Sequence, residues 1–135
     1  IEFNARFGDP ETEVVLPRLK SDAVDVFMAV ANNEQPTTEW SKEATLGIVL
    51  ASKGYPGSYD KGFAIRGTER VDAKIFHMGT ARKDGELVTA GGRVMIVVAS
   101  APSLEEALKK ARKEIANIEC DNLFHRTDIG AKAFR

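Results

Sequence analysis

Glu2, Asn4 and Arg6 stand two residues apart in the opening run IEFNARFGDPE. In an extended strand side chains alternate faces, so these three would share one face and Ile1, Phe3 and Ala5 the other. A carboxylate, an amide oxygen and a guanidinium in one row suit a hard divalent cation and the phosphate oxygens it bridges. Glu-x-Asn alone also describes an edge strand with one wet face. The continuation favours a site edge. Phe7-Gly8 makes a turn, and Asp9-Pro10-Glu11 reads as a helix start, with Asp as N-cap, Pro at the first helical position and an acid in the first turn. Arg6 has a competing use as an ion-pair partner of Asp9 or Glu11.

Two further runs could meet a ligand. Gly91-Gly92-Arg93 would let backbone amides approach an anion while Arg93 adds a two-pronged contact. A β-bulge with an exposed arginine is the structural competitor. The loop GYPGSYDKG (54–62) lacks the Gly-x-x-x-x-Gly-Lys-Ser/Thr spacing of a phosphate-binding loop, and its Gly and Pro residues chiefly force a turn. His77 and His125 have no partner at metal-ligand spacing and read as structural residues. No Ser-His-Asp set, Cys-His set or Gly-x-Gly-x-x-Gly fingerprint is present.

The elements that must position these residues follow from periodicity. The opening strand leads into a helix from Pro10 to Leu19 that Pro17 limits or bends. Ser21 is expected to cap a second helix, with Val24, Phe27, Met28 and Ala31 at helical spacing and Asn32-Asn33 as its stop. Residues 34–44 are polar apart from Trp40, which is expected to anchor this connector by packing. From Thr45 the texture turns to short β-type runs: TLGIVLAS, FAIRG, AKIFHMGTA and RVMIVVAS, the last the most convincing buried strand. Asp84-Gly85 signals a hairpin between 74–82 and 86–90. Ser103 and Glu106 form a capping box for a helix whose apolar stripe is Leu104, Ala107, Leu108, Ala111, Ile115 and Ile118. LFHRTDI reads as a last strand, and GAKAFR as a short helical end. Strands followed by a late helix make an α+β class, not a doubly wound one.

Bulk properties exclude several functions. The 135 residues are 43% apolar and 29% charged, with net charge −1, which predicts one globular domain with an appended arm and no footprint for nucleic acid or a membrane surface. Cys120 is the single cysteine, so no internal disulfide forms, compatible with a reducing compartment. No run reaches the ~20 apolar residues of a membrane span. The start lacks signal-peptide blocks and an initiator Met, and the expectation is a piece of a longer chain.

IEFNARFGDPETEVVLPRLKSD, with VLASKGYPGSYDKG (49–62), IFHMGT (75–80), LVTAGGRV (87–94) and FHRTDIG (124–130), resembles the last part of the phosphoribosylamine–glycine ligase (glycinamide ribonucleotide synthetase) family. The resemblance implies that residues 1–33 end an ATP-grasp domain, 34–44 connect, and 45–135 form the ligase's carboxy-terminal domain. That domain would be a small, antiparallel, barrel-like β module of the rudiment single-hybrid kind, covered by one helix. It also implies a cytoplasmic, ATP-dependent ligase of purine biosynthesis that joins glycine to 5-phosphoribosylamine through a glycyl phosphate. Glu2 and Asn4 would hold Mg²⁺ or Mn²⁺, Arg6 would contact phosphate or acyl-phosphate oxygens, and Gly91, Gly92 and Arg93 would face the sugar-phosphate substrate. Tyr55 and Lys61 could form a lip over it. The piece alone is expected to be inactive and to self-associate. The alternative is a non-catalytic interaction module with an N-terminal helical arm.

Overall fold

In this computed structural model residues 5–134 are described; Ile1–Asn4 and Arg135 are not, so the expectations for Glu2 and Asn4 lie outside the described residues. Along the chain run α1 (Thr12–Val15), α2 (Ala23–Ala31), β1 (Ala44–Ser52), β2 (Lys74–His77), β3 (Thr80–Lys83), β4 (Glu86–Thr89), β5 (Arg93–Ala101), α3 (Leu104–Ile115) and β6 (Leu123–Phe124). The antiparallel sheet has the order β2-β5-β1-β6, and β3 and β4 form a separate hairpin. The α+β expectation holds.

β5 is central because its apolar run has to be covered on both faces, and Val94 through Ala99 are all buried. Pairing sets the faces. Leu46 lies opposite Ala99, Ile48 opposite Val97 and Leu50 opposite Met95, and this face packs on Ala107, Ala111 and Ile115 of α3. Burial of apolar surface stabilises by about 25 cal/mol per Å², which makes this layer the main source of stability. α3 begins at the expected capping box: Ser103 accepts from the Glu106 amide, and the Glu106 carboxylate accepts from the Ser103 amide. On the opposite face a Cβ at Gly47 would stand 2.9 Å from a Val14 methyl, so the missing side chain is what lets α1 lie against the sheet.

Several local expectations are corrected. Asp9 does not cap α1. Its carboxylate is held by Arg93, the helix starts at Thr12, and the Thr12 amide and hydroxyl both donate to the Gly8 carbonyl. Asp22, not Ser21, caps α2, accepting from the Val24 and Asp25 amides, while Ser21 accepts from the Glu39 amide. Trp40 stays 41% exposed and bridges to Leu19 through the backbone, so it does not anchor the connector in the core. FAIRG makes only isolated bridges, at Ala64 and Arg66. AKIFHMGTA divides into β2 and β3 because Met78 and Gly79 turn their amides onto the Val94 carbonyl. The hairpin is therefore 80–83 with 86–89, closed by Asp84 (φ 51°) and Gly85 (φ 84°), both in the left-handed region.

Candidate functional site

Motifs far apart in sequence meet at one end of the sheet. Gly79 and Gly91 pack backbone on backbone: a Cβ on Gly79 would lie 2.8 Å from the Gly91 Cα. The Gly91 carbonyl accepts the Ser52 hydroxyl and the Gly92 carbonyl accepts the Ser52 amide, each at 2.8 Å. The rings of Tyr55 and Tyr59 stand against Gly92, in edge contact with each other at 6.3 Å. The Lys61 ammonium lies 5.8 Å from the centre of the Tyr59 ring. The 53–62 loop is also tied at its base. Asn122 donates to the Asp60 carbonyl and accepts the Lys53 amide through its own carbonyl, and the Gly62 amide reaches Thr89. These bonds hold the base of the loop against β4 and the segment before β6.

Gly91-Gly92-Arg93 takes the bulge form. Leu50 pairs with Met95 but Ala51 pairs with Arg93, so Val94 is the extra residue. One inserted residue reverses the facing of what precedes it. Without the bulge Arg93 would share the α3 face with Met95 and Val97. With it, Val94 joins the core and Arg93 shares the other face with Ala51. There its guanidinium meets Asp9, donating to Oδ1 at 3.2 Å, to Oδ2 at 2.9 Å and to the Asp9 carbonyl at 3.1 Å. Neither competing use of Arg6 on a carboxylate is formed: Arg6 is exposed and donates to the Phe7 carbonyl at 3.0 Å.

Beside this contact opens a cleft of about 340 Å³ with an apolar lining from Pro10, Tyr55, Pro56, Phe124 and Ile129, with Arg93, His125 and Arg126 among its other walls. Arg126 forms a fork with Asp128, with bonds of 2.8 and 2.6 Å. The hydrogen bond from Arg126 holds the Asp128 carboxyl below the usual carboxylate range. His77 is exposed and shares a hydrogen bond with Thr80 at 3.0 Å. Among the described residues no group of three or more His, Cys, Asp or Glu side chains could hold a metal ion. The sequence reading passed over Ser52, which is fully buried and ties β1 to both glycines. A small polar residue closing an apolar strand was its only signal.

Comparison with known proteins bears on these motifs directly. The model of the family described as "Phosphoribosylglycinamide synthetase, C domain" matches residues 45–132. The chain is 54% identical to the phosphoribosylamine–glycine ligase of Halalkalibacterium halodurans over 98% of its own length and 32% of that protein's. It is 47% identical to that of Listeria innocua over 98% of this chain and 33% of that protein. The crystal structure of the Thermotoga maritima phosphoribosylamine–glycine ligase superposes with a TM-score of 0.86 at 34% identity, covering 96% of this chain and 33% of that one. The chain thus spans about a third of the length of the relatives it matches. The resemblance carried by the five motifs is borne out, and the chain belongs to the phosphoribosylglycinamide synthetase family, whose C domain it contains.

Proposed function

We propose that the chain is the carboxy-terminal third of an ATP-dependent carbon–nitrogen ligase of purine biosynthesis, joining glycine to 5-phosphoribosylamine. ADP, phosphate and glycinamide ribonucleotide would be the products, formed through a glycyl phosphate in the cytoplasm. The observation that carries this reading is the near-complete match of the chain to proteins named phosphoribosylamine–glycine ligase. In this reading residues 1–33 close an ATP-grasp domain, 34–44 connect, and 45–135 are the C-terminal domain.

Glu2 and Asn4 are the proposed ligands of Mg²⁺ or Mn²⁺, and one carboxylate and one amide oxygen are donors that a hard cation accepts. When bound, the ion screens charge among the ATP phosphate oxygens. Arg6 offers a planar, permanently charged fork to the transferred phosphoryl or acyl-phosphate oxygens. Gly91 and Gly92, backed by Ser52 and faced by Tyr55, wall the sugar-phosphate side. All of this is positioning and electrostatics, the main resource of phosphoryl-transfer enzymes.

The isolated chain is expected neither to turn over ATP nor to bind it tightly, because a nucleotide pocket of the ATP-grasp kind needs both halves of that domain. Calorimetry with ADP and Mg²⁺ tests this, and micromolar binding would refute it. In the longer protein, Glu2→Ala with Asn4→Ala should abolish synthetase turnover; full turnover would refute the assignment. For the alternative, a non-catalytic interaction module, the discriminating observation is the coding sequence upstream of Ile1: ATP-grasp sequence there supports the ligase.

A further inference from the structure

We propose that Arg93 is a positioning residue, which docks the 5–19 segment onto the β module through Asp9 and so sets the approach of Arg6, which lies in a bend rather than the expected strand, and of the proposed ligands Glu2 and Asn4 before it. This rests on the ligase reading above, but its geometry does not. Arg93 and Asp9 are 84 residues apart in sequence and belong to the two parts of the chain, β5 and the corner before α1. Their contact uses three hydrogen bonds, two of them a fork onto the carboxylate and the third onto the Asp9 carbonyl, which fixes the backbone as well as the side chain.

The bulge at Val94 gives the contact its direction. A regular ladder would send Arg93 to the α3 side; the extra residue turns it to the side where α1 lies. On that side α1 touches the sheet through Val14 at Gly47, an apolar contact with little directional content. The guanidinium fork supplies the direction that contact lacks. Asp9 follows Asn4 by five residues, so the corner that Arg93 grips lies close in sequence to the proposed ligands. In this proposal Arg93, which the family resemblance implies would face the sugar-phosphate, acts through the segment it positions.

The test has two arms. In the 135-residue chain, Arg93→Met and Asp9→Asn should each speed hydrogen exchange at the Thr12, Val14 and Val15 amides by about threefold, as loss of a partly exposed ion pair would. The double variant should add little more. Amides of Ile48 and Val97 should keep their rates, which separates undocking from misfolding, and Asp9→Asn lies outside the core. Unchanged exchange at α1 in both variants would overturn the proposal.

In the longer protein the same variants should raise the divalent-cation activation constant about threefold. Their KM for the phosphoribosyl-amine substrate should stay unchanged. A raised KM in Arg93→Met that Asp9→Asn does not reproduce would make Arg93 a substrate contact and overturn the positioning role. Absence of synthetase turnover in the unsubstituted protein would instead sink the ligase reading, even with the exchange result as expected.

Discussion

The ring of Tyr55 fills the space that a side chain on Gly92 would need, and Tyr59 closes in behind it at 3.1 Å from the position of that absent Cβ. The 54–62 loop and the Gly91-Gly92 run, separate motifs in sequence, are thus one packed surface. Gly92→Val should displace the loop and cost about 1–3 kcal/mol, the usual range for overpacking. Gly92→Ala should cost less, and Tyr55→Ala should relieve part of that loss, since neighbours in contact couple. Urea unfolding of the unsubstituted chain, the single variants and the double variant Gly92→Val with Tyr55→Ala measures this; strictly additive losses would show that the ring does not rest on the glycine.

Glu114 is a charged residue on the buried face of α3. Its carboxylate accepts the Asp72 amide at 2.7 Å and lies 3.5 Å from the Asn117 amide nitrogen, with 4% of the residue exposed. Glu114→Ala should lose about 1–3 kcal/mol by leaving the Asp72 amide without its acceptor. Glu114→Gln keeps an oxygen there and should lose less. Denaturant unfolding that ranks the two variants in the opposite order would refute this account.

What the sequence discloses depends on how far apart the partners are. The Ser103–Glu106 box, the Asp84-Gly85 turn and the apolar run of β5 are written within a few residues, and they form as read. Asp9 looked like a cap because Asp-Pro-Glu is a local signal, but the guanidinium that claims it is 84 residues away. Glu114 draws no attention in the sequence, because its acceptor role is set by the loop at Asp72. Capping passed from Ser21 to its neighbour Asp22 once the Glu39 amide took the Ser21 hydroxyl. The candidate site residues stand out by their chemical types and by family resemblance, but not their meeting in space. Periodicity does not reveal that Gly79, Gly91 and Tyr55 share one corner, nor that a bulge turns Arg93 over.

At the rim of the cleft the pH dependence has a defined sign. The hydrogen bond from Arg126 lowers the folded-state pKa of Asp128 below that of the unfolded chain. Its contribution to stability is therefore present above the unfolded carboxylate pKa and is lost as pH falls through the lower, folded value. Arg126→Met should move the Asp128 titration up towards the ordinary carboxylate range, followed by the side-chain carboxyl carbon in NMR. An unmoved titration would mean that the fork is not formed in solution.

α2 buries none of its residues: Val24, Phe27, Met28 and Val30 are 53–67% exposed. The helix is held at its ends, by the Asp22 cap and by the Leu19–Trp40 bridge, which do not cover its apolar side. Adjacent apolar side chains left in water favour association, with a second copy the available cover for an isolated chain. The 135-residue chain is expected to self-associate reversibly as its concentration rises. Val24→Glu with Phe27→Lys should weaken that association at least about tenfold, ~1.4 kcal/mol. Because both positions are exposed and outside the core cluster, unfolding of the β module should be unaffected. Light scattering that finds the unsubstituted chain strictly monomeric at high concentration would show that the exposed face drives no association.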